Sequence, residues 1–500
     1  MPIRHRVSVV GLCFFALLIA TPTQLLAVDP LNPDALADTL DKILDNHSAA
    51  KRTTLTLKVV DLETGEVLYD RDGDKLLTPA SNLKIYTAAA ALDLLGPDYK
   101  WETEVYATSN LKRGTISGDL LIHGTGDPML DTKQLRQLAD QLINENKLER
   151  VKGSVRVMTH PSWGNVPIKG PGWMWDDEPD YYNMSIRSTM LNFNVLKVKV
   201  QYGDPKLIVT LDPAADWPPV EMVLALDNRA RGEVRVTRLP FTEPILISGN
   251  PLPESEPVSE EITMHDPARW TASVFEQMLI ARGVKIEGSF DDRAAEYNGI
   301  YPGKPLASAT GKSLSEAIQH FLKVSENAVG EMVLLKLAET QENAFPVVTW
   351  SSGAYVISDW LISAAGLEEG SFRLVDGSGL SRYNLISADS SVKLLAFMKN
   401  HEHFEPFFDG LPVYKVELPK DGKWGEVPFA EFDPERVFAK PGGMSGVSTI
   451  SGYIKTLDGR WLAFSLLGNG YIGSSKPVRD LRNEVWAELI RYRSTNVKQN

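Results

Sequence analysis

Over residues 54–69, TLTLKVVDLETGEVLY, apolar and polar positions alternate on either side of Glu63-Thr64-Gly65. A period of two around a turn predicts a β-hairpin. The pattern then changes. From 83 to 95 alanine and leucine dominate, which predicts a helix starting near Ser81, after Pro79-Ala80, and stopped by Gly96-Pro97. From about 101 to 288, short apolar runs alternate with Gly, Pro, Asp and Asn, as in TISGDLLIHGTGDP and VLKVKVQYGDPKLIVTLDP. That texture predicts a mostly β region with few helices, closed by one helix over 268–282. After Leu306 the helical period returns. SLSEAIQHFLKVSENAVGEMVLLKLAE reads as helix with a break at Ser325, and further helices are expected at 353–365 and 387–400. VFAKPGGMSGVSTISGYIKTLDGRWLAFSLLGNG reads as strands with an Asp458-Gly459 turn, and a last helix covers 475–493. There is no internal repeat. The order predicts an α/β domain, 28–102 with 291–500, split by a β-rich insert at 103–290.

Composition adds bounds. The chain has 500 residues, 43% apolar and 23% charged, enough for two or three domains. No apolar run of membrane-spanning length follows the N-terminus, so membrane contact is expected to be peripheral at most. Residues 1–27 read as a cleaved export signal: Arg4 and Arg6 lead an apolar stretch at 7–20, and Leu25-Leu26-Ala27 offers a cut site. An uncleaved anchor is the alternative. Cys13 is the only cysteine and lies inside the apolar run, so neither lipidation nor a disulfide is expected. The expected location is periplasmic or secreted. A net charge of -13 argues against nucleic acid as a partner.

Candidate chemistry enters at Ser81-Asn82-Leu83-Lys84. On a helix, positions i and i+3 share a face, so the amine can lie beside the hydroxyl. A desolvated lysine can act as base toward it. Ser48…Lys51 and Ser390…Lys393 fit the same spacing, but only Ser81 follows a strand and a proline at a helix start. Ser325-Glu326-Asn327 could supply a relay hydroxyl and an amide, with Ser248-Gly249-Asn250 and Ser494-Thr495-Asn496 as competitors. Lys440-Pro441-Gly442 competes with Lys112-Arg113-Gly114 and Lys423-Trp424-Gly425, yet it alone leads into a sustained strand pair. Each motif by itself can be a helix start, a cap or a turn. Together, in this order, they form the set of penicillin-recognising serine enzymes. His401-Glu402-His403 lacks a third ligand and Asp376-Gly377-Ser378-Gly379 lacks a phosphate loop's lysine, so no metal or cofactor is expected. Trp173, Trp175, Tyr181 and Tyr182 cluster with Asp176, Asp177, Glu178 and Asp180, as a core patch beside an acidic loop or a pocket for a cationic ligand.

From about Val59 to Asn469 the chain resembles the three-domain D-alanyl-D-alanine carboxypeptidases, the low-molecular-mass class C or type-4 penicillin-binding proteins. PASNLKIYTAAAALDLLG, HGTGDPML, GWMWDD with Tyr181-Tyr182, LNFN, DGRWLAFSLLGNG and above all VDGSGLSRYNLIS carry the resemblance. It implies a transpeptidase-type domain, with an antiparallel sheet flanked by helices, split by inserted domains. It implies that Ser81 attacks the carbonyl between two D-alanines of a peptidoglycan stem peptide and that Lys84 takes its proton. Ser325 and Lys440 would pass a proton to the leaving amine, and Asn327 would hold a substrate amide. The N–H groups of Ser81 and Gly443 would form the oxyanion hole. Asp177, Tyr182, Gly442 and Met444 would bind substrate, the acid facing the ammonium of diaminopimelate. β-Lactams are the expected acylating inhibitors. Two departures stand out. LPVYKVELPKDGKWGEV replaces a shorter family loop, and Pro441 stands where the family has a threonine that helps to bind the terminal carboxylate. The proline tilts the expectation from carboxypeptidase toward endopeptidase action. The alternative it raises is a catalytically impaired, peptidoglycan-binding homologue.

Overall fold

The computed structural model describes residues 33–493 except 160, 165, 204–205, 225–232, 250–255, 289–295, 298–302, 342–346 and 417–434. The expected signal, Cys13, Asn250, Lys423-Trp424-Gly425, Ser494-Thr495-Asn496 and most of the departing loop lie outside the described residues.

The fold is α/β. Its central sheet is antiparallel and six-stranded, in the order Val413–Lys415, Glu435–Met444, Val447–Lys455, Trp461–Asn469, Thr54–Asp61, Val67–Arg71. Chain start and chain end therefore pair directly, Thr54 opposite Asn469. Both faces are covered. Pro33–Asn46, with Leu36, Leu40 and Leu44 inward, and Lys476–Arg491 share one core with Leu57, Ile450, Phe464 and Trp486. The other face carries Lys84–Leu95, Leu314–Lys323, Asn327–Glu339, Trp350–Ser363 and Ala388–Lys399. Lys84–Leu95 is apolar all round because it is buried all round: Lys84 through Leu92 are shielded from solvent. Its alanines leave room for four helices to close on it, Phe404–Asp409 being the fourth.

The insert has its own core and a mixed five-stranded sheet, ordered Glu296–Tyr297, Val155–Thr159, Leu120–Gly124, Lys100–Ala107, Ala307–Ser313. Strand pairing runs across the expected edges of the insert. Lys100–Ala107 straddles the boundary drawn at 102, and Ala307–Ser313 pairs with it although it falls after 291. The insert also holds a second helix that the turn-rich texture hid. Thr132–Asp140 begins with a capping box, Asp131 with Gln134, and buries Leu135 and Leu138. Pro267–Ile280 is the helix expected there. The break at Ser325 is real: helices Leu314–Lys323 and Asn327–Glu339 meet around it.

Candidate active site

Ser81 lies on a short 3-10 turn, Ala80–Leu83, that runs straight into Lys84–Leu95. The turn is fastened to the central sheet. Thr449 Oγ1 donates to Pro79 O at 2.5 Å, Asn82 Nδ2 to Lys440 O at 2.7 Å, and Ser451 Oγ to Asn82 Oδ1 at 2.9 Å. Two glycines let backbone close on it. A Cβ on Gly442 would stand 2.3 Å from Pro79 O, and one on Gly379, at φ +86°, would stand 2.0 Å from Ala80 O. Ala80 itself is held at φ +49°, a conformation that L side chains resist.

Lys84 is wholly buried, and its Nζ has three partners: Ser81 Oγ at 2.9 Å, Asn327 Oδ1 at 2.6 Å and Ser378 O at 2.7 Å. Two of these can only accept. An unprotonated amine has two N–H donors and one lone pair. Given to Asn327 and Ser378, the two donors leave the lone pair facing the Ser81 hydroxyl. Burial pushes Lys84 down to about 8, against the pull of Glu331, Asp376 and Glu326. Lys440, also buried, donates to Ser325 Oγ at 2.9 Å and to Pro441 O at 3.2 Å. Burial, then the neighbouring Lys84 charge, hold it well below its ordinary value. Ser325 sits at φ +67° in the gap between the two helices, which turns its hydroxyl toward Lys440. Asn327 opens the second helix, and its Nδ2 donates to Tyr182 O at 2.9 Å. The insert's backbone is thus bonded to the same amide that orients Lys84.

Strand Glu435–Met444 forms the opposite wall. Ala439 N–H donates outward to Pro412 O at 2.9 Å. Alternate residues point their N–H the same way, so positions 441 and 443 face the open edge beyond Pro412. The N–H that Pro441 lacks therefore belongs to no ladder pair. Nothing stands within 4 Å of a Cβ placed on Gly443. A cavity of about 950 Å³ runs between Ser81, Ser325, Asn327 and Gly443, and Asp177, Tyr182 and Met444 line it too. Gly442 also lines it, but its inner side is filled by the Ser81 turn. Tyr182 Oη donates to Asp180 at 2.9 Å and to Asp177 at 3.2 Å. Burial, then Asp180 and Asp177, raise its pKa.

The aromatic cluster divides. Trp173 packs edge-on to Trp350 and donates to Asp376 at 3.0 Å, whereas Trp175 and Tyr181 are exposed. The competing motifs fall elsewhere. Ser48–Lys51 is a separate 3-10 turn, and Ser390 is buried against Tyr86. Lys112 lies in a turn bonded to Thr115, and Ser248 is in strand Ile245–Gly249 of the insert. His401 pairs with Asp93 at 2.9 Å, and among the described residues no cluster suited to a metal ion is found.

Sequence reasoning missed the support beneath Lys84. Glu331, wholly buried, accepts from Gly377 N at 2.8 Å and Ser378 N at 2.9 Å. That fixes the Ser378 carbonyl under the lysine. Burial and the nearby Asp376 raise the Glu331 pKa. Asp376 in turn accepts from Gly379 N at 2.9 Å, Ser381 N at 2.6 Å and Asn384 Nδ2 at 2.7 Å. The available signal was an acid inside the apolar helix sequence NAVGEMVLLKLAE, four residues after Asn327.

Residues 36–488 match the D-Ala-D-Ala carboxypeptidase 3 (S13) family. The chain is 32% identical over 476 residues to a D-alanyl-D-alanine carboxypeptidase of Actinomadura sp. strain R39, covering 90% of this chain and 85% of that one. It is 22% identical to the D-alanyl-D-alanine carboxypeptidase DacB of Haemophilus influenzae, over 86% of this chain and 90% of the relative. The crystal structure of penicillin binding protein 4 (dacB) from Haemophilus influenzae superposes with a TM-score of 0.73 at 19% identity, covering 91% of this chain and 99% of the other. The protein belongs to the D-Ala-D-Ala carboxypeptidase 3 (S13) family.

Proposed function

We propose that this family member is an exported serine DD-peptidase that cleaves D-Ala–D-Ala or D-Ala–diaminopimelate bonds of peptidoglycan stem peptides through a Ser81 acyl-enzyme. The observation that carries the reading is the buried Lys84 amine 2.9 Å from Ser81 Oγ, with its other two partners able only to accept. Ser81 Oγ attacks the carbonyl and its proton goes to Lys84. The oxyanion forms opposite the N–H groups of Ser81 and Gly443. The C–N bond breaks as Ser325, linked to Lys440, delivers a proton to the leaving amine. Asn327 holds Lys84 with its oxygen and has a second N–H for a substrate carbonyl. Water then adds to the ester; Lys84 returns its proton to Ser81, the water's proton restores the Ser325–Lys440 pair, and the peptide leaves as a carboxylic acid. Asp177, Tyr182 and Met444 take the diaminopimelate side chain, with the carboxylate facing its ammonium. Export rests on the sequence of residues 1–27; among the described residues no helix is long and apolar enough to cross a membrane.

β-Lactams present a strained amide to the same serine. Incubation with benzylpenicillin and intact-mass analysis should show one adduct mapping to Ser81, abolished by Ser81→Ala. Folded protein that takes no label would instead support a peptidoglycan-binding homologue without catalysis, a reading that Pro441 motivates. Pro441 also tilts the activity toward cross-links, because a cross-linked leaving group makes further contacts along its stem. Pro441→Thr should raise release of terminal D-alanine relative to dimer hydrolysis; an unchanged ratio removes the tilt.

A further inference from the structure

The cavity extends beyond the motif residues. Along Glu435–Met444, Lys440 and Gly442 face the Ser81 turn, while Val437 and Ala439 face the core under Lys476–Arg491. By alternation Pro441 lies on that second face. Pro441, Ile450 and Val478 line the cavity there, so it wraps round the open strand edge toward the last helix. Arg479 and Arg482 line the same end. At i and i+3 they share one side of the helix.

Neither guanidinium forms an ion pair among the described residues. Arg482 is half-buried, 4.3 Å over the Trp486 ring and 5.5 Å over Tyr414, and its Nε and Nη2 both go to the neutral Asn483 Oδ1 at 3.2 and 3.0 Å. Burial holds it below its ordinary value, and Arg479 adds to this. Arg479 Nη1 donates to Ser475 Oγ at 3.1 Å. Asp480, between them in sequence, is bonded to Lys476 at 2.6 Å. Two like charges with no ion pair among the described residues, Arg482 ordered by its rings and Arg479 by Ser475, make a fork for an anion. The insert lines the cavity with Asp176 and Asp177. Acids on one wall and arginines on another suit a ligand that carries both an ammonium and a carboxylate.

We propose that Arg479 and Arg482 form an anion subsite that takes the free carboxylate of the substrate's leaving residue, in place of a hydroxyl at position 441. The proposal rests on the peptidase reading above. Terminal D-alanine and the cross-linked centre of diaminopimelate both carry that carboxylate next to the leaving nitrogen, so the subsite takes either leaving residue, and the cross-linked one keeps its further stem contacts.

The test separates this subsite from the catalytic reading by measuring binding to the full chain carrying Ser81→Ala. The probes are L-Lys-D-Ala-D-Ala and its C-terminal amide, followed by calorimetry. The acid should bind about tenfold tighter than the amide, as expected for a charge-assisted contact. Arg479→Gln and Arg482→Gln should each shrink that ratio toward one by weakening the acid alone, and the Lys variants should keep part of it. Arg479 is exposed, so its replacement leaves the Trp486 stack intact and reports even where Arg482→Gln unfolds. An acid-to-amide ratio near one in the parent, or one untouched by Arg479→Gln, overturns the subsite. Turnover and penicillin labelling of the unmodified protein judge the catalytic reading separately.

Discussion

Lys84 can serve as a base only where burial outweighs its attraction to nearby acids. Three carboxyl groups, on Glu331, Asp376 and Glu326, pull its pKa up, yet burial leaves it at about 8. The amine therefore loses its proton within an ordinary buffer range. Acylation by a β-lactam should rise with pH, about tenfold per unit below 8, and level off above it. Stopped-flow acylation rates between pH 6 and 10 measure this; a flat profile removes Lys84 as the proton acceptor. The same burial has a stability cost with a definite sign. A lysine whose pKa is lowered on folding binds fewer protons folded than unfolded. The penalty is fully present below pH 8 and fades as pH rises toward the ordinary lysine value of 10.5.

At the scale of elements, the Ser81 turn is placed by the strands it touches more than by its own helix. Gly442 is the tightest point of that contact, because any side chain there would meet Pro79 O and Asn82 N. Gly442→Ala must push the turn from the strand. A displacement on the order of 1 Å at a reacting group costs about a hundredfold in rate. Penicillin acylation of the alanine variant should fall by about that factor, with the protein still folded by circular dichroism. A rate within twofold of the parent would mean that the clamp does not set the serine's position.

For the molecule as a whole, the insert sets a buried charge cluster beside Asp177, which lines the cavity. Glu178 adjoins Asp177 and is bonded to Arg238 at 2.6 Å, with both side chains shielded from water. Burial raises the Glu178 carboxyl, but His265 at 3.5 Å, Lys169 at 3.9 Å and Arg238 outweigh it and hold it at about 2. Its contribution to stability is therefore present above the ordinary glutamate range and lost as pH falls toward 2. Glu178→Gln leaves Arg238 buried without its counter-charge, a loss of roughly 3–5 kcal/mol. Thermal unfolding should shift down, and KM for a diaminopimelate peptide should rise more than penicillin acylation slows. Equal loss in both would tie the cluster to the serine rather than to the substrate's side chain.

The split α/β architecture was legible because its signals are local. Alternation marked 54–69, the strand texture with its Asp458-Gly459 turn marked 437–470, the alanine-rich run marked the buried helix, and Ser325 broke a helical period. The helix Thr132–Asp140 was missed because Gly and Asp turns around it dominate the texture, although Asp131, Gln134 and two leucines encode it. Ser81 and Lys84 are three residues apart, so a helical turn alone brings them together. Asn327 reaches Lys84 only through tertiary packing, 243 residues along the chain, and Lys440 is tied to Asn82 of the same turn across 358 residues. The arginines at the end of the cavity have no spacing signature, and Glu331 shows in the sequence only as an acid inside an apolar helix. Their partners come from other strands and helices, and burial, which sets the lysine's affinity for its proton, exists only once those elements have closed.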